Sequence, residues 1–463
     1  MTPKLPLLML TMVLSGCSLV PTYQRPEAPV PAAYPEGSAY AAPAQGTVAQ
    51  LNWETFFHDA GLRRVVHVAL ANNRDMQKAA LNVAAYRARY RISGAALVPE
   101  VEVQATGGRA RTPADMSASG EQSTAGSNTL QVGIVNYEID LWGRLRSLNQ
   151  SALSAYLSTE EAKRGVQISL IADVAAAYLT WRTDQQLLDI TSSTLQNYEH
   201  NLELVTASSM AGTASDLDVR QARTLVLSAR GQAQAYVRRI AQDENALRLL
   251  LGAQVPANLP SADLFGQVLS QVPTGLPSDL LQQRPDIRAA EHNLMAANAN
   301  IGAARAAFFP SITLTGGAGV ASTNLGHLFG SGSESWSFVP QIHIPIFNGG
   351  RLKASLDYAE IQKEIGVASY EQAVQAAFRE VADGLAAMGT WGEQLQSQHE
   401  LVTTSQEVSH MAQLRYDEGV DSYLVLLDAQ RQLLAARQKL ASDRLAQLVA
   451  QIQLFKALGG GWS

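Results

Sequence analysis

The residue with the clearest potential for chemistry in this 463-residue chain is its single cysteine, Cys17. It follows the apolar segment LPLLMLTMVL, at 5–14, which Lys4 precedes. A short basic start, an apolar core and small residues after the core are typical of an export signal. A lone cysteine cannot form a disulfide within its own chain, so we expect the thiol of Cys17 to serve another purpose.

The four residues LSGC, at 14–17, resemble a bacterial lipoprotein box. In such a box the signal peptide, here 1–16, is removed and the cysteine becomes a lipidated first residue. More than one acyl chain makes membrane anchoring stable rather than marginal. Ser18 follows the cysteine, whereas the signal that retains such lipoproteins at the inner membrane is usually Asp, so the resemblance implies the outer membrane. The alternative is a plain secretory signal in which Cys17 is incidental.

No other pattern in the sequence predicts catalysis. There is no Gly-x4-Gly-Lys phosphate loop and no His-Glu-x-x-His, and the eight histidines lack metal-ligand spacing. The segment GGAGVA, at 316–321, partly matches the glycine-rich dinucleotide-binding pattern, but it leads into a loop rather than a helix. We therefore expect its glycines to lie in a strand, beside a closely approaching backbone. We therefore expect no enzyme activity, no catalytic residue, no metal site and no cofactor apart from the covalent lipid on Cys17.

Charge and hydropathy exclude two further classes of protein. The net charge of −6 argues against a nucleic-acid partner. No apolar run reaches the ~18 residues that a membrane helix needs. Prolines are frequent just after Cys17, which predicts an extended, semi-rigid segment lying on the surface of the body.

The chain is a tandem duplication with a unit of about 200 residues. IADVAAAYLTW, at 171–181, and VADGLAAMGTW, at 381–391, share six of eleven residues. A shift of 211 places 74–101 over 285–312, and a shift of 207 places GRLRSLNQSA over GRLKASLDYA. Such a unit is too long for a solenoid repeat and indicates two equivalent halves of one architecture.

Each half is predicted to contain a long helical hairpin. Proline is absent from 114–255 and from 346–463, where apolar residues recur at spacings of three, four and seven. The breaks and the residues expected to cap the following helix lie at matching positions, Gly212 with Ser215 and Gly419 with Ser422. The first arm of about 65 residues would be roughly 100 Å long, a length suited to crossing the periplasm.

Each half also contains two candidate strands with one apolar and one polar face. Their lengths suit transmembrane β-strands of ~9–11 residues. The apolar phase slips in the second strand, after Ile134, and Pro340 predicts an edge or a bulge in the fourth. The strands are predicted at 98–108, 128–142, 309–322 and 336–347, with outward-facing loops at 111–126 and 323–335.

These features divide the chain into six segments. They are a signal peptide (1–16), a lipidated proline-rich segment (17–58), a first repeat (59–255), a linker (256–276), a second repeat (277–457) and a C-terminal tail (458–463).

Four strands cannot close a barrel, and lipid does not tolerate an open sheet edge, so the chain is expected to oligomerise. Two copies would give eight strands, whose interior side chains fill. Three copies would give twelve strands with a lumen and twelve helical columns. The predicted fold is therefore a membrane α+β trimer, with a 12-stranded transmembrane β-barrel continuous with a 12-helix periplasmic α-barrel.

The lipoprotein box, the duplicated strand and long-helix unit, PIFNGGRLKASLDYA (345–359) and GVDSYLVLLDAQRQL (419–433) resemble the TolC/OprM family, most closely its lipidated OprM-like branch. The resemblance covers 17–463. It implies a homotrimeric outer-membrane channel that expels toxic small molecules, with a periplasmic adaptor (membrane fusion) protein and a proton-driven inner-membrane RND transporter as partners. The turns at Gly212, Ser215, Gly419 and Ser422 would contact the adaptor.

The resemblance also implies a gate. Leu424, Asp428 and Arg431 are spaced four and three, so they share one helix face beside the second turn. The corresponding leucine and aspartate line the closed periplasmic constriction in TolC/OprM-like channels. The other interpretation is a solvated ion pair between Asp428 and Arg431.

Two other functions stay open at this point. TolC-like channels also serve type I protein secretion. A lipidated periplasmic coiled-coil adaptor without a pore would share the long hairpins, although the four amphipathic strands argue against it.

Overall fold

The computed structural model describes residues 18–40, 52–260, 264–270 and 278–460. Cys17, the predicted signal peptide and the last three residues lie outside these ranges. Within them, no helix is both long enough and apolar enough to cross a membrane.

Helices and strands follow the same order in the two halves. The first half contains α1 (Trp53–Phe56), α2 (Ala60–Asn72), α3 (Arg74–Ala95), β1 (Val101–Thr112), β2 (Ser123–Ile139), α4 (Arg144–Met210) and α5 (Asp216–Leu251). The second contains α6 (Pro285–Ala306), β3 (Ser311–Ser322), β4 (Glu334–His343), α7 (Arg351–Asp417) and α8 (Tyr423–Ala457). Helices α3 and α6 have 22 residues each, and α4 and α7 have 67 each. The duplication inferred from the sequence is thus repeated in the structure.

The described residues form two compact units. The first takes its described residues from 18–27, 82–160 and 289–370 and contains all four strands. The second takes its described residues from 28–40, 52–81, 161–260, 264–270, 278–288 and 371–460 and contains both hairpin turns.

The four strands form one antiparallel sheet in the order β1-β2-β3-β4. The register of β2 on β3 shifts between Ile134 and Tyr137, and Asn136 between them has a positive φ of 50°. The phase slip predicted there is therefore a β-bulge. Pro340 lies in β4, an edge strand of the sheet, as predicted.

Glycines allow β2 and β3 to approach closely. A Cβ built on Gly319 would lie 2.0 Å from the carbonyl oxygen of Leu130, and one on Gly133 would lie 2.3 Å from that of Gly316. Any larger residue would clash with the facing backbone. The prediction that 316–321 supplies strand glycines beside a close neighbour is confirmed.

Three strand boundaries were predicted wrongly by four or five residues. β1 continues to Thr112 and β2 begins at Ser123, so the first loop is 113–122 rather than 111–126. β4 ends at His343, which pairs with Ser311 at the start of β3, so 344–347 has no strand to pair with. The second loop, 323–333, lies close to its predicted place.

The sheet is tied to the first turn of α4. The carboxylate of Asp140 accepts hydrogen bonds from the backbone N–H groups of Leu145 (3.0 Å) and Arg146 (2.9 Å). The indole N–H of Trp142 donates to the carbonyl of Pro310 at 3.0 Å, and the Trp142 ring stacks on Phe309. The strand hairpins and the long helix are therefore held in a fixed relation within the first unit.

The proline-rich segment lies against α6 in the first unit. The guanidinium of Arg25 donates two hydrogen bonds to Glu291, at 2.7 and 2.9 Å, and Asn298 donates to the carbonyl of Pro21 at 2.8 Å. Glu291 is buried, so this charged pair fixes the segment firmly.

Candidate functional site

The candidate site is the pair of turns that close the two helical hairpins. Gly212 and Gly419 lie in these turns with positive φ angles of 78° and 69°, a conformation that glycine adopts without strain. The predicted breaks in the long helices are therefore confirmed. Both turns belong to the second unit.

The two helices after the turns begin differently. Ser215 caps α5: its Oγ accepts the N–H of Asp218, and Asp218 accepts the N–H of Ser215 in return. Ser422 occupies the same position before α8, but its side chain forms no cap hydrogen bond. The sequence prediction was right about the position of Ser422 and wrong about its side chain. The backbone N–H of Val425, the third residue of α8, donates to the carbonyl of Ser422 at 3.1 Å instead, and the valine side chain cannot supply the other half of a capping box.

An ion pair closes the second turn. The Arg415 guanidinium donates to both carboxylate oxygens of Asp421, at 2.6 and 2.9 Å. This hydrogen bonding lowers the pKa of Asp421 below its usual range. The sequence analysis missed this pair, although Arg415 and Asp421 lie only four residues before and two residues after Gly419.

An apolar cluster joins the ends of the two hairpins within the second unit. Tyr416 and Tyr423 pack edge to face within it, with ring centroids 5.3 Å apart. Burial raises the pKa of Tyr423 to about 12, with Tyr416 and Asp218 adding to the shift. Its buried members come from both repeats, namely Tyr198, Val205, Ala222, Leu225, Val226, Ala229, Ala412, Tyr423, Leu426, Leu427 and Ala429.

The three predicted gate residues lie on the opposite face of α8 from this cluster. Leu424 is 56% exposed, and Asp428 and Arg431 are also exposed. Asp428 accepts a hydrogen bond from the side-chain amide of Gln432 at 2.8 Å, and no ion pair joins it to Arg431. The structure therefore brings the three residues to one free face, and the alternative of a local Asp428–Arg431 pair is wrong.

Among the described residues, no group of three or more His, Cys, Asp or Glu side chains could hold a metal ion. What the arrangement offers is an exposed apolar side chain at Leu424 and an exposed carboxylate at Asp428, one turn apart on α8.

Comparisons with known proteins agree with this geometry. The sequence model of the family described as outer membrane efflux protein matches residues 65–253 and 276–460, one match in each half. The solvent efflux pump outer membrane protein SrpC of Pseudomonas putida is 56% identical over 465 residues, which cover 99% of this chain and 98% of the relative. The antibiotic efflux pump outer membrane protein ArpC of Pseudomonas putida is 52% identical over 453 residues, with 97% and 94% covered.

A solved structure shows the same fold. The open state of the Neisseria gonorrhoeae MtrE outer membrane channel superposes with a TM-score of 0.88 at 35% identity, covering 96% of this chain and 99% of that one. The resemblance drawn from the sequence is confirmed. The chain therefore belongs to the outer membrane efflux protein family, and it is an efflux channel protein of the outer membrane and not an enzyme.

Proposed function

We propose that three copies of this chain form a passive duct that expels toxic small molecules across the periplasm and the outer membrane. Efflux pump outer membrane proteins work with a periplasmic adaptor and an inner-membrane transporter, and here we propose a membrane fusion protein and a proton-driven RND transporter. The observation that carries the proposal is a four-stranded sheet whose two edge strands, β1 and β4, have no partner in the described chain.

Closing the sheet requires other copies. Each unpaired backbone group in lipid costs several kcal/mol, so β4 of one copy is expected to pair with β1 of the next. Three copies give the 12-stranded barrel with a lumen, whereas the interior of an eight-stranded dimer would be filled. The same three copies supply twelve helical columns for the α-barrel.

Helix burial supports a ring of copies. Helix α6 is covered on both sides within the first unit: Ser158 of α4 donates to the carbonyl of Ala289, and a Cβ on Gly366 of α7 would lie 3.1 Å from Leu294. Helix α3 occupies the equivalent place in the first repeat, yet it has no buried residue. Ile92 of α3 is 73% exposed, whereas its repeat equivalent on α6, Ala303, is 9% exposed.

Helix α7 carries the complementary uncovered face. Tyr358, Ile361 and Ile365 are 65%, 53% and 52% exposed. The equivalent residues in the first repeat, 207 positions earlier, are Ser151, Ser154 and Ser158 on α4. Ser154 and Ser158 are buried, and the hydroxyl of Ser158 donates a hydrogen bond to α6. In a ring, α3 of the next copy would therefore cover α7 as α6 covers α4.

Side-chain sizes are complementary at one pair of positions on this surface. Ala299 of α6 and Ser151 of α4 lie between the close approaches of Ser158 to Ala289 and of Ser147 to Gly302, and the two shifts of 211 and 207 map them to Ala88 of α3 and Tyr358 of α7. The small Ala88 leaves room for the large Tyr358, as close packing requires. We propose this as the helical contact between neighbouring copies.

We further propose that Cys17 carries the lipid and that the mature repeats span 59–255 and 277–457. Cys17→Ser is expected to abolish fatty-acid labelling completely, because the chain has no other cysteine. Metabolic labelling with a radioactive or clickable fatty acid measures this. Labelling that survives the substitution would show that the export signal is a plain one.

We assign the gate to Leu424, Asp428 and Arg431 and the adaptor contact to the turns at Gly212, Ser215, Gly419 and Ser422. The exposure of the α8 face supports the first assignment. The second is supported by the position of both glycine turns at the ends of the long hairpins.

Deleting the gene tests the proposed function. Relatives named for solvent and for antibiotic efflux suggest apolar and amphipathic molecules as substrates. The deletion strain is expected to be more susceptible to toluene or to antibiotics, and a plasmid copy to restore resistance. Unchanged susceptibility together with the loss of a secreted protein would favour the type I secretion duct instead.

A further inference from the structure

One face of the sheet carries charged residues at its loop end alone. The direct pairings across the four strands show which residues share a face with the exposed side chains of Trp336 and Phe338. Along the strands that face is uncharged except at Arg109, Arg111 and Glu334. These three side chains are exposed, and within the described part of the chain none of them forms an ion pair or a side-chain hydrogen bond.

The three charges are too far apart to neutralise each other within one copy. Arg109 and Arg111 lie on the edge strand β1, whereas Glu334 lies on the opposite edge strand, β4. Three strand spacings separate these two edges, so their backbones lie roughly 14 Å apart. A partner of opposite charge must therefore come from outside the chain, and β4 and β1 of neighbouring copies offer it to each other.

The two faces of the sheet limit how β4 of one copy can pair with β1 of the next. A slip of one residue would turn the apolar face of one strand to the polar side of the other, so the allowed registers differ by steps of two residues. Two of these registers place Glu334 opposite an arginine. It faces Arg111 in the first register and Arg109 in the second.

The lengths of the strands favour the first register. With Glu334 opposite Arg111, residues 334–343 face residues 102–111, so every residue of β4 has a partner within β1. With Glu334 opposite Arg109, the last residue of β4 lies beyond the start of β1, and residues 110–112 of β1 have no partner. Unpaired backbone groups are costly in lipid, so the first register is the more stable one.

The side chains on both faces also fit the first register. It places Phe338 opposite Gly107, just as Phe338 already lies opposite Gly316 of β3, so the ring can cover a glycine on each side. On the polar face it places His343 opposite Glu102, where the imidazole can donate to the carboxylate.

We propose that Glu334 of one copy forms an ion pair with Arg111 of the next and that this pair fixes the register between copies. The inference rests on the proposed trimeric duct and adds which residues join one copy to its neighbour. In this register Arg109 lies opposite Trp336, whose ring face attracts a guanidinium. Each boundary between copies is then closed by a charged pair and a cation–π contact at the loop end of the sheet.

Cysteine pairs on the polar face test the register without altering these charges. Ser337 and Gly108 are opposite each other in the proposed register, and a Cβ on Gly108 would meet nothing within 4 Å. Ser337→Cys with Gly108→Cys is therefore expected to give covalent trimers on denaturing gels after mild oxidation. The matched control is Ser337→Cys with Thr106→Cys, which are opposite each other only in the second register. It is expected to cross-link roughly tenfold more slowly, because diagonal neighbours lie ~7–8 Å apart.

Charge reversal tests the ion pair itself. Glu334→Arg is expected to lower the temperature at which the trimer dissociates by several degrees, because two cations then face each other. Adding Arg111→Glu is expected to restore the wild-type temperature. The matched control adds Arg109→Glu instead and is expected to restore less, because that carboxylate lies two residues away along β1. Gels of samples heated in steps measure the dissociation.

The proposal is overturned if the Gly108 pair cross-links no faster than the Thr106 pair, or if Arg111→Glu restores no more stability than Arg109→Glu. Either result, together with a mass of three chains in detergent, would leave the proposed duct standing and correct only its register. A mass of one chain would overturn the duct and the register together.

Discussion

Leu424→Ala is expected to raise the resting conductance of the channel in planar bilayers several-fold. In a trimer, three copies of the exposed α8 face would converge on the axis, and three Leu424 side chains would form an apolar constriction from which water withdraws. Truncating them widens and wets that constriction. Single-channel recording of the purified protein measures the effect.

Asp428→Ala tests the charged half of the same gate. Three carboxylates in a narrow lumen favour cations, so the substitution is expected to move the cation-to-anion permeability ratio towards one. The matched control is Leu217→Ala, the repeat equivalent of Leu424, which is 65% exposed on α5 and should leave conductance unchanged. If Leu424→Ala and Asp428→Ala conduct like wild type, the constriction lies elsewhere.

The double variant Ala88→Cys, Tyr358→Cys is expected to cross-link neighbouring copies almost completely under mild oxidation. Ala88 and Tyr358 occupy the mapped positions on α3 and α7, and each copy would contribute one cysteine to each side of the ring. Denaturing gels should then show covalent dimers and trimers. Each single-cysteine variant is expected to stay monomeric on the same gel, because Cys17 is the only native cysteine and we expect it to carry lipid.

Two control cysteine pairs test the proposed α3–α7 contact separately from the formation of the trimer. Ala299→Cys with Ser151→Cys places the same pair at the equivalent positions within one chain, between the close approaches of Ser158 to Ala289 and of Ser147 to Gly302, so it should cross-link without forming multimers. Arg89→Cys with Tyr358→Cys moves one cysteine off the proposed α3 face. If the Arg89→Cys pair forms covalent trimers and the Ala88→Cys pair does not, the proposed helix surface is contradicted and the channel proposal still stands.

Much of the fold can be predicted from the sequence because the sequence contains two copies of the same structural unit. The two repeats constrain each other, so the hairpin breaks at Gly212 and Gly419 and the bulge after Ile134 could be located from patterns alone. A glycine with positive φ and a slip in apolar phase are both local signals.

The strand ends were less predictable because they depend on pairing. Residues 109–112 and 123–126 are polar and small, which is typical of a loop, yet they are strands because each pairs with the other. Residues 344–347 alternate like a strand, but β3 begins at Ser311 and offers them no partner.

The candidate site was predictable in position but not in its bonding. The spacing of Leu424, Asp428 and Arg431 placed them on one face, whereas the choice of Gln432 over Arg431 as the partner of Asp428 depends on side-chain conformation. The Arg415–Asp421 pair joins residues across a turn, where no periodicity signals it.

The central claim, a duct made from three copies, is tested most directly by the mass of the purified protein in detergent. Light scattering corrected for bound detergent is expected to give three times the mass of one chain. A mass of one or two chains would contradict the account, because neither four nor eight strands can enclose an open lumen.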